Sequence, residues 1–223
     1  MRGRLALGAT VRFLAGVIII GALLFIPFGG LLWTRAYLFM AVAFLPIAVC
    51  GAVLLLRSPA LLEKRLGKGE KDKGQRRIVA LSALAFLLAF VTAGLSARFG
   101  FLVMPMWVSV FGCVSYILGY VLYALVLSQN RFLSRNIEVQ DGQTVCDTGL
   151  YALVRHPMYL ATVIMFLSMP LILGSFVSLL IMCIYPVLIA QRIKGEERLL
   201  EEELSGYAEY KKKVKYRLIP YIW

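Results

Sequence analysis

Four stretches of this chain, residues 13–32, 36–56, 78–97 and 101–127, are apolar from end to end and contain no charged side chain. Each is longer than the roughly 18 residues that mark a membrane-crossing helix. Two shorter apolar runs, 159–173 and 176–190, follow with only Gly174 and Ser175 between them. Across all 223 residues, 61% are hydrophobic and 16% charged, against about 45–50% apolar in an ordinary soluble domain. Mean hydropathy is +0.81. A soluble globule of this size has too little interior to hide that much apolar surface. Six helices of about 20 residues would use about 120 of them. The expected fold is therefore all-α, a polytopic membrane bundle of about six helices ending in a polar C-terminal segment. A soluble two-domain enzyme, a disordered chain and a secreted disulfide scaffold are excluded.

The paired runs after Tyr159 read as a tight helical hairpin, with one broken helix lying in the membrane interface as the alternative. All but two of the 24 basic residues, Arg35 and Arg98, fall on one side when both termini share a face, as do all 12 acidic residues. Positive-inside bias then places the termini and the large loops in the cytoplasm. The net charge of +12 is read as attraction to anionic lipid head groups and not to nucleic acid. The first apolar run is longer than a signal-peptide core and lacks a small-residue cleavage site, so it is expected to be a retained membrane helix. Cys50, Cys113, Cys146 and Cys183 show no metal spacing, and a single histidine does not complete a zinc site. No metal is expected. Gly67, Lys68 and Gly69 lack the rest of a phosphate-binding loop. Gly112, Ser115 and Gly119 lie at small-residue spacing for close helix approach, and Pro46, Pro170 and Pro186 are candidate kinks.

Polar chemistry gathers in the last hundred residues. Residues 137–151, IEVQDGQTVCDTGLY, read as two extended pieces around a turn at Asp141–Gly142. Arg155-His156-Pro157 follows, and proline suits the first turn of a helix. His156 is then held extended at the helix mouth, where free backbone N–H groups favour an anionic ligand. An Arg-His-Pro at a membrane boundary is also an ordinary head-group anchor. Residues 191–210 read as an amphipathic helix that leaves the membrane and breaks near Gly206. Its apolar stripe is Leu199, Leu200, Leu204, Tyr207 and Tyr210. Glu196 shares that face, with Arg192 four residues earlier and within reach. An inward ion pair at a boundary is either a site or a structural tie between helices. Glu201, Glu202 and Glu203 read as a solvated face, Glu197 as intermediate, and the lysines at 211–215 as lipid-phosphate contacts.

Together these segments resemble the isoprenylcysteine carboxyl methyltransferase family of membrane enzymes. The carrying residues are Gly149-Leu150-Tyr151, Arg155-His156-Pro157-Met158-Tyr159, Arg192, Glu196-Glu197, Tyr207, Tyr210 and Ile219-Pro220. The likeness runs from about Asn130 onward; the first four helices match only in being hydrophobic. It implies a single membrane domain, with residues 1–127 as four transmembrane helices and 128–223 as the methyltransferase region. It also implies methyl transfer from S-adenosyl-L-methionine, bound under the C-terminal segment, to a lipophilic acceptor. His156, Pro157, Met158 and Tyr159 would line the cofactor, Tyr151 would pack on it, and Glu196 would hydrogen-bond it. Gln143, Thr144, Val145 and Cys146 would add backbone contacts, and Arg192 would hold an acceptor carboxylate. Asn136 and Gln143 depart from the residues that relatives carry there.

A carboxylate acceptor is already ionised near neutral pH and needs no base, only alignment and desolvation. Three other readings stay open: a phospholipid or amine N-methyltransferase, an NADPH-dependent isoprenoid or sterol reductase, and a non-enzymatic membrane scaffold or transporter subunit. Transport calls for ionisable groups deep inside the spans, and these runs carry none.

Overall fold

The computed structural model describes residues 2–66, 72–130, 132–134 and 137–223. Gly67, Lys68 and Gly69 of the basic loop, and the predicted cofactor residue Asn136, lie outside the described residues. The helices are α1 (Arg2–Phe28), α2 (Thr34–Arg57), α3 (Pro59–Arg65), α4 (Lys73–Phe99) and α5 (Met106–Gln129). A 3-10 turn at Gly149–Ala152 precedes α6 (Pro157–Leu173), α7 (Phe176–Met182), α8 (Ile184–Glu203) and α9 (Tyr207–Lys213). The chain is an all-α polytopic membrane bundle. Among the described residues no strand forms, so the expected extended pieces of 137–151 never pair. Their turn does form: Gly142 has φ 68° and Gln143 N–H bonds Gln140 C=O at 2.9 Å.

Five segments are long and apolar enough to cross a bilayer: α1, α2, α4, α5 and the α7–α8 stretch Phe176–Glu203. The sixth, α6, has 17 residues, about 25 Å of helix against a hydrocarbon core of about 30 Å. It is packed inside the bundle, with Tyr159, Met165, Met169 and Ile172 buried. A helix apolar on every side belongs in an interior. The hairpin reading holds, and the broken interfacial helix does not occur. Gly174 ends α6 in the left-handed conformation at φ 72°, and the Ser175 side chain caps α7 by accepting from Ser178 N–H. The break at Cys183 between α7 and α8 lies three residues before Pro186. That proline has no N–H to give the Met182 carbonyl, and its ring crowds the same group.

The opposite end from α3 and α9 is closed by short bonds. Met104 N–H reaches Gly174 C=O at 2.8 Å, Phe176 N–H reaches Leu102 C=O at 3.1 Å, and the Ser175 hydroxyl meets that of Ser96 at 2.9 Å. Within the bundle α5 lies along α6, α4 lies against α1, α7 and α8, and α2 crosses α5 and α6. Outward side chains of α5 such as Trp107, Val110, Phe111, Val114 and Leu118 remain exposed. Lipid tails cover such a surface at no cost, and helix association in a membrane then depends on close packing.

Two residues of the predicted small-residue stripe carry that packing. A Cβ on Gly112 would stand 2.8 Å from the Ile172 amide nitrogen and 2.9 Å from Leu171 Cβ. On Gly119 it would stand 2.8 Å from Met165 Cγ and 3.2 Å from Ala161 O. Gly112→Val is therefore expected to cost about 1–3 kcal/mol through forced separation of α5 and α6. Gly51→Ala is the control, because nothing lies within 4 Å of that site. Thermal unfolding in detergent should show a clear drop for the first variant and none for the second.

Candidate functional site

The ends of α6 and α8 on the polar side meet the 130–156 connection and the folded-back tail. The connection is anchored first. Gly149 adopts φ +60°, and a Cβ there would lie 2.7 Å from Gln129 Oε1. Gln129 can therefore accept from Leu150 N–H at 2.9 Å, which starts the 3-10 turn that presents Tyr151. The Tyr151 hydroxyl accepts from Asn130 Nδ2 at 3.3 Å. Its carbonyl accepts from the Tyr210 hydroxyl of α9 at 2.7 Å. Gly206, at φ 84°, turns the chain between α8 and α9, where the predicted break was placed. Leu204, Tyr207, Tyr210 and Val214 then form a small buried cluster, with Val139, Val145 and Leu200 packed on it. Burial holds the phenols of Tyr151, Tyr207 and Tyr210 above the ordinary tyrosine range, so all three stay neutral.

Beneath this roof, Glu197 is 3% exposed and accepts three cationic or ionisable partners. Arg155 Nε reaches Oε1 at 2.7 Å, His156 Nε2 stands 3.3 Å from the same oxygen, and Arg217 Nε reaches Oε2 at 2.8 Å. Arg155 also donates to the carbonyls of Val214 and Lys215 at 2.7 and 2.8 Å. The backbone N–H groups of Arg155 and His156 bond Tyr216 and Arg217 C=O, each at 2.9 Å. The tail is thus stitched to the mouth of α6. The expectation that Glu197 would be intermediate is corrected: it is a buried hub. The N–H groups of Arg155 and His156, just before the helix mouth, are taken by the tail.

The predicted Arg192–Glu196 face is also present, with a third member. Tyr159 donates its hydroxyl proton to Glu196 Oε2 at 2.6 Å and accepts from Arg192 Nε at 3.1 Å. Arg192 Nη1 lies 3.4 Å from Gln75 Oε1, and Gln75 Nε2 lies 3.4 Å from Arg192 C=O. Gln75 is buried at the start of α4, seated against Gly195, where a Cβ would overlap its amide. Three helices therefore set the position of one guanidinium.

Arg155, His156, Tyr159, Arg192 and Glu196 wall one cavity. Of the predicted site residues, Gln143, Thr144, Val145, Cys146, Tyr151, His156, Met158, Tyr159, Arg192 and Glu196 all line it. Pro157 is fully buried in the first turn of α6 and is not part of the wall. Gln143 turns its side-chain oxygen to Gln140 N–H at 2.9 Å. The walls also include Asn130, Glu138, Arg155, Leu200, Leu204 and Tyr207, which sequence reasoning did not assign to a ligand. Among the described residues no three His, Cys, Asp or Glu side chains gather as metal ligands. Glu201, Glu202 and Glu203 are exposed, with Glu201 paired to Lys211.

The fold and this cavity define a polytopic helical membrane protein whose polar site is built at one end of the bundle. Residues 110–202 match the model of the isoprenylcysteine carboxyl methyltransferase (ICMT) family. The matched stretch runs from α5 to the end of α8 and is what the chain shares with that family. The match begins inside the fourth span, earlier than the sequence resemblance near Asn130, and stops short of Tyr207, Tyr210 and Ile219-Pro220. The chain is also 27% identical to the Delta(14)-sterol reductase TM7SF2 of Mus musculus over 125 residues. That alignment covers 50% of this chain and 30% of the relative, so the chain spans about a third of the relative's length.

Proposed function

We propose that the chain is an S-adenosyl-L-methionine-dependent methyltransferase acting on a lipophilic acceptor held in the membrane. The observation that carries this is the convergence of Tyr151, His156, Met158, Tyr159, Glu196 and residues 143–146 on one cavity that also holds Arg192. The donor set fits such a cofactor. Aromatic faces and a thioether suit a sulfonium cation and a purine, and Glu196 suits hydroxyl or ammonium donors. When bound, the cofactor supplies an activated methyl group.

The chain's own residues do the rest. Tyr159 joins Glu196 on the cofactor side to Arg192 on the acceptor side, so both ends of the reaction are held by one hydrogen-bonded unit. Arg192 aligns an acceptor oxygen, and the roof of Leu204, Tyr207 and Tyr210 excludes water from the reacting atoms. A carboxylate such as that of an isoprenylcysteine fits this arrangement, since it needs no base. Residues 1–127 serve as membrane scaffold and 128–223 as the methyltransferase region of a single domain. The positive-inside bias favours a cytoplasmic side for the termini and the cavity, with Lys212 and Lys215 toward lipid phosphates while Lys211 and Lys213 pair with Glu201 and Asp147.

Calorimetric titration of S-adenosylhomocysteine into the detergent-purified protein tests the reading. Wild type should bind saturably, and Glu196→Ala and His156→Ala should each weaken binding by about ten-fold or more, the loss of one charge-assisted hydrogen bond. The likeness to a sterol reductase supports a second reading, nicotinamide-dependent reduction in the same cavity. Saturable NADPH binding by a folded wild type that ignores S-adenosylhomocysteine would overturn the first reading and establish the second.

A further inference from the structure

Beside the cavity lies a second opening of about 1310 Å³ between α2, the start of α3 and α5. Pro46, Val49, Val53, Ala124 and Leu127 are among its walls, Arg57 and Ser58 stand at its polar end, and among the described residues no acidic one lines it. Val49 and Val53 are 63% and 45% exposed, so the groove is open along its length toward the lipid side of the bundle. Phe132 is a wall of both this groove and the site cavity.

Arg65, the last residue of α3, stands where the two spaces adjoin. Its Nη1 donates to Ser134 C=O at 3.2 Å and lies 3.6 Å from Met158 Sδ, and both of those residues wall the site cavity. Its Nη2 donates to the Tyr123 hydroxyl, and the guanidinium lies over the Tyr123 ring at 5.3 Å. Tyr123 immediately precedes the groove residue Ala124. The described partners of Arg65 are a carbonyl, a thioether and a phenol, all of them neutral. A guanidinium offers five N–H donors in a fork that matches a carboxylate or phosphate, and these contacts use three.

Resting on the methyltransferase reading of the neighbouring cavity, we infer that the α2–α3–α5 groove holds the chain of a single-chain amphiphile and Arg65 selects its anionic head group. The chain lies between α2 and α5, which the bilayer can reach laterally. The head group meets Arg65 before it passes Phe132 toward Arg192. Arg65 is thereby a specificity residue: it decides which amphiphiles are admitted, while Arg192 aligns the one that has entered. Charge complementarity favours an anion, since Arg57 lines the groove, Arg65 lies beside it on Tyr123, and no carboxylate lines it among the described residues. Continuity through Phe132 favours the acceptor over a bulk bilayer lipid.

The test uses the full chain in zwitterionic vesicles and two photoactivatable probes, a long-chain carboxylic acid bearing a diazirine and its neutral primary amide. Mass spectrometry maps where each probe attaches, and S-adenosylhomocysteine titration is run in parallel. In wild type the acid should label α2 and α5 peptides around Val49, Val53 and Ala124, about ten-fold more than the amide, as expected for one charge-assisted contact. Arg65→Gln should bring the acid down to the level of the amide, with saturable S-adenosylhomocysteine binding showing that the neighbouring cavity is still formed. Ala124→Phe, which fills the groove, should reduce labelling by both probes. Equal labelling by acid and amide in wild type, a preference that survives Arg65→Gln, or labelling spread over the other helices would each overturn the inference. If wild type keeps the labelling pattern but does not bind S-adenosylhomocysteine, the methyltransferase reading fails and the amphiphile site stands.

Discussion

Glu197→Ala is expected to lower stability by about 3–5 kcal/mol, the range for breaking a buried ion pair from one side. The substitution leaves Arg155 buried with its Nε unpaired and releases Arg217, so the tail loses the carboxylate that ties it to α8. The Arg155 and His156 N–H bonds to the Tyr216 and Arg217 carbonyls, and the Arg155 Nη1 bonds to the Val214 and Lys215 carbonyls, then remain to hold it. Loss on this scale corresponds to a fall in thermal midpoint on the order of 10 °C. Glu197→Gln should fall almost as far, because an amide of the same shape does not compensate two guanidinium groups. Thermal unfolding in detergent reads the first effect. Limited proteolysis with trypsin reads the second, since cleavage within 211–217 should become faster when that segment lifts. A variant as stable and as protease-resistant as wild type would show that the Glu197 cluster does not hold the tail.

Arg192→Ala carries the largest expected effect on activity. Arg192 is 9% exposed, and its guanidinium is fixed by Tyr159 and Gln75 at the wall of the cavity. If it aligns the acceptor oxygen, its removal should reduce kcat/KM for methyl transfer by about 10²–10³, the range for deleting one preorganised donor. Affinity for S-adenosylhomocysteine should stay within about two-fold of wild type, since Glu196 still meets Tyr159. Arg192→Lys should recover little, because a point charge on a flexible stem does not keep the planar two-sided geometry. Steady-state kinetics beside calorimetry separates these effects. Loss of cofactor affinity with little change in turnover would move Arg192 to the cofactor side of the site.

Much of this was legible along the chain because membrane helices and their ends follow local rules. Charge-free length specified the spans, and Gly174-Ser175 specified the hairpin. Pro157 specified the start of α6, and Gly206 the break before α9. Glu196 and Arg192 were found because helical phase puts both on the apolar stripe of the same helix. The same argument misplaced Glu197. One residue further on is a rotation of about 100°, which took it off the stripe to an intermediate position. The tail returns over that face and brings Arg217 and the Val214 and Lys215 carbonyls to it. No local periodicity encodes that return.

What the sequence determined by itself, then, is the membrane bundle and the small set of polar residues available to a site. Burying a charge in hydrocarbon is so unfavourable that spans without charge are specified residue by residue. What only the tertiary structure decided is the pairing of those polar residues. Tyr159 came between Arg192 and Glu196, Glu197 became the hub of the tail, and Arg65 of α3 met Ser134 and Met158. Hydrogen bonds and ion pairs act over about 3 Å, so their partners are settled by how distant segments pack and not by distance along the chain.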